Sequence, residues 1–159
     1  MENSISTTTS SLSRALINLY GVAEIGKTAT LTALYDLIKE GLKVSSSYNQ
    51  IQFRQINQYD FYVIFDYKCK RVGIITMGDP GCEGEVQGFL NECLAHSCDR
   101  IFTASRTRGE IFGMVIDFAN TNDYTFIETS PLYMRFPNGY AGNLDFLHDS
   151  FAQLLETLI

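Results

Sequence analysis

Between the apolar run Arg14–Tyr20, RALINLY, and a helical pattern beginning near Lys27 lies the octapeptide GVAEIGKT, Gly21 to Thr28. Its two glycines and its terminal Lys-Thr have the spacing G-x-x-x-x-G-K-[ST], which suits a loop that cradles a phosphate. Gly21 lets the chain leave a strand sharply. Gly26 removes the Cβ that would block an approaching phosphate, so that successive backbone N–H groups can point inward. The helix that follows adds its unpaired N-terminal donors and the positive end of its dipole. The other reading is a glycine-containing strand-to-helix turn with a surface lysine.

The octapeptide resembles the Walker A motif of the P-loop NTPase superfamily, and the strand before it and the helix after it have the required order. The resemblance implies that Gly21, Glu24, Ile25, Gly26, Lys27, Thr28 and Ala29 bind the nucleotide. Lys27 is expected to reach the β and γ phosphates, and the Thr28 hydroxyl to hold Mg²⁺. Glu24 departs from the pattern in chemistry, because a carboxylate facing a polyphosphate is repulsive; its side chain is expected to face solvent.

Such a site needs an acid at the end of a neighbouring strand for the metal. Asp66 follows FYVIF and Asp79 follows GIITMG. If residues 61 to 77 form a hairpin whose second arm runs parallel to the first strand, Asp79 lies at the carboxyl edge beside the loop and Asp66 at the opposite edge. Ligands bind at the carboxyl ends of strands in open α/β sheets, so Asp79 is the expected metal acid, with the turn-forming Asp-Pro-Gly as its structural alternative. Past the strand DRIFTAS, the segment Ser105-Arg106-Thr107-Arg108 should reach the same edge. Arg106 is expected to stabilise transferred charge and Arg108 to contact the cofactor, since a guanidinium offers fixed donors and a stacking face. A solvated pair balancing acids such as Glu110 is the competing reading. TASRTRG lacks the Asn-Lys-x-Asp guanine-reading motif of the superfamily's GTPases, and Asp79-Pro80-Gly81-Cys82 is no DxxG. Adenine is therefore expected by elimination.

The elements that must position these groups alternate. Helices are expected over about Lys27 to Glu40, closed by Gly41; over Glu85 to Ser97, with Val86, Phe89, Leu90, Cys93 and Leu94 on one face; over residues 108 to 121; and over residues 143 to 158, with Leu144, Leu147, Phe151, Leu154, Leu155 and Leu158 along a stripe. Apolar runs at 61–65 and 72–77 flank a polar hairpin turn from Asp66 to Arg71, and VGIITM reads as a central strand. Strands are also expected at DRIFTAS and YTFIETSPLY. The pattern predicts an α/β three-layer sandwich with a mainly parallel central sheet and one antiparallel hairpin strand, in one domain over residues 13–159 behind a disordered head at residues 1–12.

The 159 residues carry a net charge of −6, so a nucleic-acid partner, which needs clustered Lys and Arg, is not expected. No apolar run approaches the roughly 20 residues that span a bilayer, and no basic leader precedes an apolar core, so the reading is a cytoplasmic protein without a membrane partner. Cys69, Cys82, Cys93 and Cys98 read as reduced thiols, because Cys93-x-x-His96-x-Cys98 lacks structural-zinc spacing.

Two functions remain open, beside a bland third reading, an α/β domain whose loop no longer binds anything. The first is Mg-ATP-dependent phosphoryl transfer, as a small kinase or ATPase, with Lys27, Asp79 and Arg106 as its catalytic groups. The second is a nucleotide-responsive module with little turnover that signals to a protein partner, with Tyr133, Phe136 and Tyr140 as a candidate docking surface.

Overall fold

The computed structural model describes residues 12–23, 25–41, 49–131 and 145–159. Ten elements follow one another: β1 (Ala15–Tyr20), α1 (Lys27–Gly41), β2 (Asn49–Gln55), β3 (Phe61–Tyr67), β4 (Lys70–Ile75), α2 (Glu83–Ala95), β5 (Arg100–Ser105), α3 (Glu110–Thr121), β6 (Thr125–Thr129) and α4 (Asp145–Glu156). The six strands form one sheet in the order β2-β3-β4-β5-β1-β6. β4, β5, β1 and β6 pair in parallel, while β3 pairs antiparallel with both β4 and β2.

Strand alternation divides the core between the two faces of this sheet. Ile17 and Leu19 of β1 join Leu31, Leu34 and Ile38 of α1 and Phe151, Ala152 and Leu155 of α4 on one face. Leu16 joins Val86, Phe89 and Leu90 of α2 and Ile111 and Val115 of α3 on the other. The result is the expected mixed, mostly parallel α/β sheet with helices on both sides. Each fully buried Leu, Ile or Phe contributes about 1.5–3 kcal/mol relative to exposure, so both helical layers are anchored by burial more than by propensity.

Several expected boundaries and faces are corrected. The hairpin turn is not the whole of Asp66 to Arg71. Lys68 and Cys69 alone make it, both at positive φ (48° and 59°), as a two-residue turn requires to match strand twist. Asp66 and Arg71 are instead cross-strand partners, and Arg71 Nε donates to Asp66 Oδ1 at 2.9 Å. Leu94 and Leu154, assigned to buried stripes, face solvent. On α4 the buried face follows Leu147, Phe151 and Leu155 at four-residue spacing, which turns Leu154 away. Leu144, most of the residue 1–12 head, and the aromatic segment with Tyr133, Phe136 and Tyr140 lie outside the described residues. Leu12 is described, and its carbonyl accepts from Arg100 Nη2 at 2.8 Å. Among the described residues no helix is long and apolar enough to cross a membrane.

Candidate functional site

The chain leaves β1 at Gly21 with φ 152° and enters α1 through Gly26 with φ 89°, backbone angles that an L side chain rarely adopts. A Cβ at Gly21 would also collide with the Ile25 side chain, which folds back over it. Both glycines are therefore required by the path of the loop. Ile25 packs on Gly21, the Thr30 N–H donates to Gly26 O at 2.8 Å as the helix begins, and Glu24 lies outside the described residues.

Lys27, the first residue of α1, is 8% exposed, and its ammonium turns back into the loop, where Nζ donates to Gly21 O at 3.0 Å and Val22 O at 2.8 Å. Burial pushes its pKa down, the nearby Arg106 cation adds to this, and the Asp79 carboxylate works in the opposite direction. All three groups thus sense one another at one edge of the sheet.

Asp79 lies past the carboxyl end of β4, as expected, but its strand is not the neighbour of the loop strand. β5 stands between β4 and β1. A buried polar trio crosses the β1–β5 seam: Asn18 Nδ2 donates to Ser105 Oγ at 2.9 Å, and Thr103 Oγ1 donates to Asn18 Oδ1 at 2.9 Å, all three residues being fully buried. Each group finds its partner only when β5 lies against β1. Ser105, expected near the nucleotide, is consumed in this pairing. Asp79 is brought toward the loop by Gly78, where a Cβ would overlap the carbonyl of Ala104, so the extension of β4 runs hard against β5. There Arg106 Nε donates to Asp79 Oδ1 at 2.8 Å.

The Thr28 hydroxyl donates to Thr76 O at 3.1 Å. The Thr76 hydroxyl in turn donates to Asp60 Oδ1 at 3.0 Å, and the Asn57 amide donates to Asp60 Oδ2 at 3.0 Å. Asp60 is an acid at this edge that strand-end reasoning missed. It precedes an apolar run instead of following one, and β3 runs antiparallel, so its start lies where the parallel strands end.

A cavity of about 1370 Å³ opens over these groups, lined in part by Gly26, Lys27, Thr28, Asp60, Asp79 and His148. Neither Arg106 nor Arg108 lines it. With Pro80, Glu83 and Glu110 they line a separate hollow of about 240 Å³ at the start of α3. His148, from α4, was also missed; no local motif marks it, and only the packing of α4 beside α1 carries it to the loop. Among the described residues no three His, Cys, Asp or Glu side chains gather as metal ligands. Cys93 and Cys98 are buried free thiols, Cys69 is exposed and Cys82 half-buried.

The assembled groups are backbone donors at a helix start, a partly buried ammonium, a guanidinium and a carboxylate that restrains it. Such a set can bind a polyanion at the loop and leave an oxygen donor for a hard cation. Comparison with known proteins adds no relative: no family model, no curated protein and no solved structure matches the chain.

Proposed function

We propose that the protein binds a nucleoside triphosphate at Gly21–Thr28 as a P-loop protein, and that it carries out Mg-ATP-dependent phosphoryl transfer as a small kinase or ATPase. The observation that carries this reading is Lys27. A lysine drawn into a glycine loop by two main-chain carbonyls, at the first turn of a 15-residue helix, supports it, because it keeps a cation within the loop. Replacing those two carbonyl acceptors with phosphate oxygens would exchange neutral partners for charged ones.

Thr28 and Asp79 offer the hydroxyl and carboxylate oxygens that suit Mg²⁺, so the donor chemistry fits this ion. When bound, Mg²⁺ would neutralise charge on the phosphates. Thr28 would release Thr76 O to serve it. The chain's own contribution is positional: loop N–H groups orient the phosphates, Lys27 draws them inward, and Arg106, once free of Asp79, stabilises charge on the transferred group. The absence of a guanine-reading motif in the sequence favours adenine.

Calorimetric titration with Mg·ATP tests the reading, with Lys27→Ala as the control. Binding by the wild type that weakens by roughly a hundredfold in the variant is expected, equivalent to about 2.7 kcal/mol. A wild type that takes up no nucleotide overturns it.

The Asp79–Arg106 pair favours a second reading, a nucleotide-responsive module with little turnover, because the guanidinium a catalytic site would direct at phosphate and the carboxylate it would direct at the metal engage each other. ADP release under saturating Mg·ATP separates the two. Turnover supports the enzyme, and binding without turnover supports the module.

A further inference from the structure

We propose that His148 of α4 is a phosphate ligand of the loop site, donating from Nε2 to an oxygen of the bound nucleotide. This rests on the reading of Gly21–Thr28 as a nucleotide loop and names a group of that site which the motif does not contain.

The geometry begins at Gly26. The face left open by its missing Cβ is the face through which a phosphate approaches the loop donors. In the structure that face is not empty: a Cβ built at Gly26 would overlap His148 Nε2, and its three nearest atoms are Nε2, Cδ2 and Cε1 of the same ring. The imidazole therefore presents its outer edge, carrying the ε nitrogen, to the loop. His148 lines the same cavity as Lys27 and Thr28, and its imidazole has no hydrogen-bond partner among the described residues. The ring is half-buried and opens onto that cavity, so Nε2 is free to exchange water for a ligand oxygen.

The position is held by the fold. Leu147, Phe151, Ala152 and Leu155 bury the inner face of α4, and Phe151, Ala152 and Leu155 share one cluster with Leu31, Leu34 and Ile38 of α1. α4 is thereby fixed beside the helix whose N-terminus forms the site. On phosphate entry the ring would turn off Gly26, and Nε2 would donate to the incoming oxygen. Lys27 and His148, from distant parts of the chain, would then both donate to the phosphate.

The test is calorimetry with ATP and Mg²⁺ on the wild type, His148→Ala and His148→Gln, with the ¹⁵N resonance of His148 Nε2 followed in the wild type. Loss of a hydrogen bond to a charged group is expected to weaken binding roughly ten- to hundredfold in His148→Ala. His148→Gln, which keeps an amide donor at similar reach, should recover most of it, and ATP should shift the Nε2 resonance. Equal affinity in His148→Ala overturns the proposal while leaving the nucleotide loop standing. Tighter binding overturns it too, since the ring would then obstruct the site. If the wild type binds no ATP, both this inference and the reading beneath it fail. Should His148→Ala not fold, the glutamine variant and an unmoved Nε2 resonance decide against the proposal.

Discussion

Arg106 and Asp79 bridge the exits of two parallel strands, with Nε of the arginine 2.8 Å from Oδ1 of the aspartate. The pair joins the end of β5 to the extension of β4, with Asp79 lining the loop cavity and Arg106 the smaller hollow. Its side chains are 33% and 64% exposed, so its Coulomb energy is largely screened and its coupling in a double-mutant cycle of stability should stay below about 1 kcal/mol. Its effect is expected in binding. Without Mg²⁺, Asp79→Ala should free the guanidinium and tighten pyrophosphate severalfold, whereas Arg106→Ala should weaken it; with Mg²⁺ and ATP, both should weaken. Titration calorimetry with and without the ion checks the sign reversal.

Gly78 is required for space alone, since its φ is not in the positive range. In Gly78→Ala the new methyl meets the Ala104 carbonyl and the Ser105 backbone, which cannot yield as a flexible side chain would. A destabilisation of about 1–3 kcal/mol is expected from such overpacking. The displaced Asp79 should separate from Arg106. Urea unfolding measures the first effect and the salt dependence of pyrophosphate binding the second.

The Asn18–Ser105–Thr103 trio makes a sharper test of polar satisfaction. Asn18→Leu should cost about 1–3 kcal/mol by leaving buried hydroxyls without partners, and adding Thr103→Val and Ser105→Ala should recover much of that loss. Chemical denaturation of the single and triple variants checks this. A triple variant no more stable than the single one would show that shape, not polarity, limits the β1–β5 seam.

Alkaline stability depends on two tyrosines. Burial pushes Tyr67 up to about 12, and its hydrogen bond to Glu156, with Oη 2.8 Å from Oε1, acts in the same direction. Burial also pushes Tyr124 up to about 12, opposed by Arg14. Both folded values lie above the ordinary value of 10.0, so the folded state holds these protons more tightly. Their stabilisation is complete below pH 10 and is lost as pH rises toward 12. Tyr67→Phe and Tyr124→Phe should each flatten the fall of the urea midpoint between pH 9 and 11.5.

Local chemistry was the legible part. Strand, glycine loop and helix could be read around Gly21 and Gly26 because the conformational demands of a tight turn and the period of α1 reside in neighbouring residues. The Asp66–Arg71 segment was blurred for the opposite reason: its polar composition suggests a loop, yet ladder bonds and a cross-strand ion pair carry the strands through it to a two-residue turn. Asp60 escaped notice because its place at the site edge depends on the direction of β3, which a run of apolar residues does not encode.

By itself the sequence determined most of the elements, their alternation and a glycine turn between the first strand and the first helix, since these follow from periodicity and glycine freedom. Only the tertiary structure decided who stands beside that loop. β5, not β4, lies against β1 with buried polar partners across the seam, the close approach at Gly78 sets Asp79 beside Arg106, and the apolar face of α4 fixes His148 against Gly26. Those neighbours come from distant parts of the chain, and no spacing rule connects them until burial and hydrogen-bond satisfaction select the packing.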